Sequence, residues 1–190
     1  MNVLNRDEVN LKRAFVLRNI ENGHVFLYPT DTIYGIGCDA TNEDSVKRIR
    51  RIKQRKDSPF SVIVPSKQWI NDNCIITGKA EEWMRKLPGP YTLILILKKK
   101  GEIAPSVNPG NRTIGVRIPD HWISGIVSDL KRPLITTSPN KEGKDIMTSL
   151  ENFDTEIRKE LDFIIYEGEI TGRPSTIVNL ESGVPSIRER

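Results

Sequence analysis

The sequence is poor in residues that hold metals, disulfides or membranes. Its 190 residues include two cysteines, Cys38 and Cys74, and two histidines, His24 and His121. The cysteines form no Cys-x-x-Cys pair, which excludes a disulfide framework. Scattered singly, these four residues also lack the clustering of a zinc site. A reducing, cytoplasmic compartment follows as the expectation. The 13 glycines and 12 prolines are too few for a low-complexity or collagenous chain. The longest wholly apolar run, residues 93–97, falls far short of the roughly 20 residues that span a bilayer. Residues 1–16 carry no signal-peptide core, so neither secretion nor a membrane is expected. Aromatic residues make up 6%, thin for a reader of single-stranded nucleic acid that stacks bases. No Ser/His/Asp order, Cys–His pairing or compact carboxylate pair stands out, so covalent catalysis has little support.

What remains is a chain long enough for one domain, 1–190, able to bury roughly two-thirds of its unfolded surface. The net charge is +4, unevenly spread. Residues 1–100 hold 18 basic and 11 acidic side chains, whereas residues 101–190 hold 11 and 14. Seven of the ten residues 47–56 are basic and none is acidic. Val46, Ile49 and Ile52 recur there at three-residue spacing, which predicts a helix with one buried face and cations crowding the other. Such a field attracts a triphosphate or an RNA backbone, and a solvated helix face is the plainer alternative.

Periodicity predicts helices over 7–22 (Leu11, Ala14 and Phe15 inward, with Gly23 as a left-handed cap), 42–53, 80–87, 122–130 and 150–161. It predicts strands over 24–28, 60–64, 91–97, 113–118, 133–137, 163–166, 175–180 and 184–188. The strand 91–97 is apolar throughout, so both its faces should be covered. Alternation of strands and helices argues an α/β domain, and the consecutive strands near the end argue against a purely parallel sheet.

Gly35-Ile36-Gly37-Cys38-Asp39-Ala40 fits a dinucleotide fingerprint by letters, but six residues separate it from the preceding strand. The glycines therefore miss the strand-to-helix junction that the motif needs. Lys144 follows Gly143, yet Asp145 and Ser138 break a phosphate-binding P-loop pattern. Better candidates are the hydroxyl-rich turn 28–35, the pair Lys53 and Arg55 at the end of the basic helix, Ser138-Pro139-Asn140, and Ser175-Thr176. Arg117 interrupts an otherwise apolar strand. An ammonium and a guanidinium beside small hydroxyl and amide groups suit phosphoryl or nucleotidyl transfer, where the protein positions and neutralises charge.

Taken in order, these segments resemble the YrdC-like threonylcarbamoyl-AMP synthase family. The matching pieces are residues 28–37, Lys53-Gln54-Arg55, residues 88–95, residues 113–121, Ser138-Pro139-Asn140, residues 175–178 and Ile187-Arg188. The resemblance implies a single α/β domain with a twisted mixed sheet, helices packed on it and a basic concave face. It implies an enzyme, a nucleotidyltransferase that joins L-threonine, bicarbonate and ATP into threonylcarbamoyl-AMP, releasing pyrophosphate. Mg²⁺ would be carried by the nucleotide, with no dedicated metal site. The product would serve threonylcarbamoyladenosine formation in tRNA through downstream transfer proteins, and contact with tRNA or double-stranded RNA is possible.

By the same resemblance Lys53 and Arg55 are catalytic, clamping the leaving pyrophosphate. Thr32, Arg117, Thr136 and Ser175 hold threonine, and Arg55, Ser58, Thr113, Ser138, Asn140 and Arg188 line the ATP site. The sequence departs from the family at Ile63, where a histidine contacting threonine is expected, and near Ile146, where a serine is expected. Ending two residues after Arg188, the chain matches the short form without the C-terminal domain. Three alternatives stand beside this reading: a YciO-like paralogue, an RNA-binding module without synthase activity, and a dinucleotide oxidoreductase.

Overall fold

A computed structural model describes residues 2–141 and 143–189. Two sheets organise them. The first runs β1 (Asn2–Leu4), β9 (Phe163–Ile165), β2 (Phe26–Tyr28), β3 (Gly35–Gly37). The second runs β11 (Ser186–Arg188), β10 (Thr176–Asn179), β6 (Tyr91–Leu97), β7 (Thr113–Arg117), β4 (Ser61–Ile63), β8 (Leu134–Thr136), with β5 (Cys74–Ile75) also paired to β6. The second sheet is mixed: β4 and β7 are parallel, as are β6 and β10, whereas β6 and β7 are antiparallel. Ile36 and Thr137 exchange backbone hydrogen bonds of 2.7 and 3.2 Å, and Ile135 N–H donates to Cys38 O at 2.9 Å. These bonds join β3 to β8 and make the two sheets one curved surface.

Helices α1 (Arg6–Leu11), α2 (Arg13–Glu21), α3 (Glu43–Lys53), α4 (Lys67–Asn73), α5 (Lys79–Arg85), α6 (Ile123–Leu130) and α7 (Thr155–Lys159) pack on the sheets, with a single 3-10 turn at Pro105–Val107. No helix among the described residues is long and apolar enough to cross a membrane. The mixed α/β architecture expected from the sequence is present.

Several element expectations need correction. The helix expected over 7–22 is two helices that meet at Lys12, and its core side is Val9, Val16 and Ile20 rather than Leu11, Ala14 and Phe15. Leu11 and Phe15 face solvent. The alternative phase wins because residues 9, 16 and 20 also lie on one helical stripe. The helix expected over 150–161 shrinks to Thr155–Lys159, capped by Asp154. Helix α4 and the short strands β1, β3 and β5 carried no pattern long enough to see. Strand β6 does not have both faces covered: Leu93, Leu95 and Leu97 are buried, whereas Thr92 and Ile94 face a cleft.

Gly23 takes the expected left-handed conformation, φ +85°, and Asn42 caps α3 through its side chain. The basic run on α3 is largely spoken for. Arg48 binds Asp162 (2.7 Å) and the carbonyl of Glu160 (2.5 Å). Arg50 reaches the carbonyls of Ser106, Val107, Lys56 and Ser58. Arg48 and Arg50 thus find partners brought from elsewhere in the chain.

Glu43, in the first turn of α3, accepts from Ser106 N–H (3.0 Å) and Ser106 Oγ (2.6 Å), with Lys47 Nζ at 3.3 Å. Partial burial alone would raise its pKa, but the Ser106 bonds and Lys47 outweigh that and hold it below the ordinary carboxylate value. A depressed folded pKa contributes stability above about pH 4.3, which is lost as pH falls through the folded value. Glu43→Gln is therefore expected to lower Tm by roughly 3 °C at neutral pH. The gap should close near pH 3 in a thermal melt series. An equal gap at both pH values would refute the ionised role.

Candidate active site

The cleft of about 600 Å³ lies over the open face of the second sheet. Its floor follows from the two-residue period of strands: Thr92 and Ile94 from β6, Thr113, Gly115 and Arg117 from β7, and Ser61 from β4. The register sets Gly115 opposite both Ile94 and Ser61. A Cβ on Gly115 would come within 2.6 Å of Ser61 Oγ, so the middle of the floor stays low. Thr113 and Arg117 lie four residues apart on one strand, which separates the two ends of the floor by about 13 Å.

Arg117 is buried, 5% exposed. Its Nη2 donates to Asp31 Oδ1 (2.9 Å) and to Thr32 Oγ1 (3.0 Å), and Asp31 Oδ2 accepts Asp120 N–H (3.0 Å). Burial pushes its pKa down and Asp31 offsets this, so the guanidinium stays charged. Among the described residues its Nε is buried without a hydrogen-bond partner. Ser175, at the entry of β10, shares a 2.7 Å hydrogen bond with Thr92. The turn after β2 holds Thr32 in place through Thr30, whose hydroxyl donates to Ile33 O (2.6 Å) and lies 3.0 Å from the Thr32 hydroxyl.

At the other end α3 stops because Gln54 adopts a left-handed conformation, φ 52°. That stop lets Lys53 and Arg55 both reach the cleft although they are two residues apart. Lys53 Nζ donates to the carbonyls of Ser138 (2.6 Å) and Asn140, fixing the loop after β8. Arg55 lies 5.6 Å from the Phe60 ring centre. Asn140 Nδ2 donates to Lys144 O (2.6 Å).

Of the residues singled out from sequence, Lys53, Arg55, Thr113, Arg117, Thr136, Ser138, Asn140 and Ser175 line this one cleft. Thr32 stands behind Arg117. Ser58 is exposed beside α3, where its carbonyl accepts from Arg50, and Arg188 is exposed on the edge strand β11. Ile63 is fully buried in the cluster containing Tyr28 and Leu134 and does not line the cleft. Glu142, in the loop after Asn140, lies outside the described residues. Sequence reasoning missed Tyr34, Phe60 and Lys144 as cleft residues. Tyr34 lies within the candidate turn 28–35 without a role of its own, Phe60 reads as part of an apolar strand, and Lys144 enters only within a failed phosphate-loop pattern. Burial keeps the Tyr34 phenol protonated, with its pKa raised far above the ordinary value.

Gly35 and Gly37 sit on β3, antiparallel to β2, not at a strand-to-helix junction. The dinucleotide reading fails on that geometry. Among the described lining residues four are cations and none is a carboxylate, which favours an anionic ligand. No cluster of three or more metal-ligating side chains occurs among the described residues.

A mixed sheet carries a cation-lined cleft with small hydroxyl groups on its floor, a surface suited to an anionic small molecule. The family model described as telomere recombination, which covers the Sua5, YciO and YrdC proteins, matches residues 18–190. The chain belongs to this family. A putative threonylcarbamoyl-AMP synthase of Methanocaldococcus jannaschii is 37% identical, over 98% of this chain and 89% of the relative. The crystal structure of Pyrococcus abyssi Sua5 complexed with L-threonine superposes with a TM-score of 0.83 at 27% identity. That match covers 98% of this chain but 56% of the Sua5 chain, so this protein spans little more than half of it. YciO of E. coli shares the fold, with a TM-score of 0.85 at 24% identity.

Proposed function

We infer that this cleft joins L-threonine, bicarbonate and ATP into threonylcarbamoyl-AMP and pyrophosphate. The observation that carries the reading is a buried arginine at one end of a single cleft and a lysine–arginine pair at the other. About 13 Å of low floor separates the ends. Threonine lies at the Arg117 end with its carboxylate on the guanidinium, beside Thr32, Thr136 and Ser175. The nucleotide occupies the other end, along Arg55, Thr113, Ser138 and Asn140, with Ser58 and Arg188 at its margins. ATP brings Mg²⁺ with it as part of the substrate.

Bicarbonate condenses with the threonine amine, giving a carbamate and water. A carbamate oxygen then attacks the α-phosphorus, and the bond to the β-phosphate oxygen breaks. Negative charge grows on the departing pyrophosphate, where Lys53 and Arg55 neutralise it. Threonine's binding energy fixes the attacking oxygen in line. The product serves threonylcarbamoyladenosine formation in tRNA, in the cytoplasm, through transfer proteins. The YciO-like alternative loses ground because Lys53, Arg55, Ser138 and Asn140 all meet in the cleft. The RNA-binding alternative loses ground because Arg48 and Arg50 are committed within the fold.

Pyrophosphate release tests the reading. It should require ATP, L-threonine and bicarbonate together, with threonylcarbamoyl-AMP seen by mass spectrometry. Release independent of threonine would reject it. Arg55→Ala should lower kcat by about 100-fold, since the clamp acts as charge develops. Normal turnover in that variant would remove Arg55 from catalysis.

A further inference from the structure

We propose that Glu167 is a positioning residue for the Arg117 end of the cleft, pinning the segment 167–175 as a strap that carries Ser175. The identity of the substrate held there rests on the synthase reading above. Between β9 and β10 the chain crosses ten residues without regular structure. Four contacts tie it down at its start. Glu167 Oε2 accepts from Trp122 Nε1 (2.7 Å), and Oε1 accepts from His121 Nε2 (2.8 Å). Ile123 N–H points at His121 Nδ1 (3.3 Å), which places the ring proton on Nε2 and fixes it as the donor. Glu167 N–H donates to Tyr34 Oη (3.1 Å), and that hydroxyl donates to Gly168 O (2.6 Å).

At its far end the strap presses on the site itself. A Cβ on Gly172 would stand 1.9 Å from the carbonyl oxygen of Thr32, so strap and threonine turn are in backbone contact. Pro174 and Ser175 then enter the cleft wall. His121 and Trp122 belong to the segment that follows Arg117, and Asp120 of that segment holds Asp31, the partner of Arg117. Three segments therefore meet around Arg117, and the Glu167 side chain ties the strap to the post-Arg117 wall. Glu167 does not line the cleft. Its side chain is 28% exposed, so its pairing adds little to global stability. Displacement of a substrate contact by about an ångström is costly to turnover by comparison.

Glu167→Ala and Glu167→Gln in the full chain test the strap by two readouts. Hydrogen–deuterium exchange of residues 168–173 should quicken about tenfold in Glu167→Ala while residues 138–144 stay unchanged. KM for threonine should rise about tenfold and KM for ATP stay within about twofold. Glu167→Gln, which keeps one acceptor oxygen, should fall between. Unchanged exchange in the strap overturns the proposal, as does an equal rise in both KM values, which would mark a merely structural role. A wild-type protein without threonine-dependent release overturns the synthase reading instead, and the exchange measurement still decides the strap.

Discussion

Arg117→Ala is expected to lower threonine-dependent pyrophosphate release by at least about 100-fold. Its effect has two parts. In the proposed arrangement the guanidinium pairs with the carboxylate of threonine, and its removal leaves that carboxylate without a partner. It also leaves Asp31 without its partner in a site where the Asp31 side chain is 10% exposed. Breaking such a pair from one side costs about 3–5 kcal/mol, so a lower melting temperature accompanies the lost activity. Arg117→Lys separates the two. A lysine restores a charge near Asp31 and recovers stability, but it lacks the planar fork that holds Asp31, Thr32 and a carboxylate together. Steady-state rates and ATP binding by calorimetry check the prediction. ATP affinity should stay within a few-fold, because the proposed nucleotide site is at the far end of the floor. Turnover of Arg117→Ala within about threefold of wild type would displace threonine from this end.

Gly37→Ala is expected to cost about 3 kcal/mol of folding stability, a fall in Tm of roughly 6–12 °C for a chain of this size. An added Cβ would stand 2.3 Å from the carbonyl oxygen of Ile135 and 2.7 Å from the Tyr28 ring. The carbonyl cannot swing away, because it already accepts the Tyr28 hydroxyl at 2.8 Å. The strain falls on the seam where β3 meets β8, the junction between the two sheets. Thermal and urea melts measure the loss. A Gly125→Ala control places its Cβ 3.3 Å from the flexible end of Arg13 and should cost far less. Equal stability of Gly37→Ala and wild type would mean that the seam is looser than its hydrogen bonds imply.

The α/β class and most residues of the cleft were legible in the sequence, but the bounds and faces of individual elements were less so. Lys53, Arg55, Ser138 and Ser175 carry little signal singly and become legible through their order along the chain, whereas Arg117 stands out because it interrupts an apolar strand. Strand β6 was located to the residue, yet its exposed face was misread, because Ile94 and Ile96 are as apolar as the core residues beside them. Composition cannot say whether an apolar face meets a helix or a ligand. The phase error at Leu11 and Phe15 has a similar cause, since two apolar stripes competed on one stretch and only tertiary packing chose between them. Two- and three-residue strands such as β3 lie below the length at which periodicity speaks. Glu167 gave no local signal, since its partners His121 and Trp122 are more than forty residues away.

The place of β9 governs how this molecule can come into being. It lies between β1 and β2, pairing Phe163 with both Asn2 and Phe26. A nascent chain therefore exposes two strands near its start with nothing between them until synthesis has passed residue 165. Closing so long a loop is slow, and the waiting strand edges invite pairing with other chains. The cleft acquires its last wall later still, with Ser175 and β10. A product cut anywhere before that point lacks both a strand of the second sheet and the Ser175 wall of the cleft.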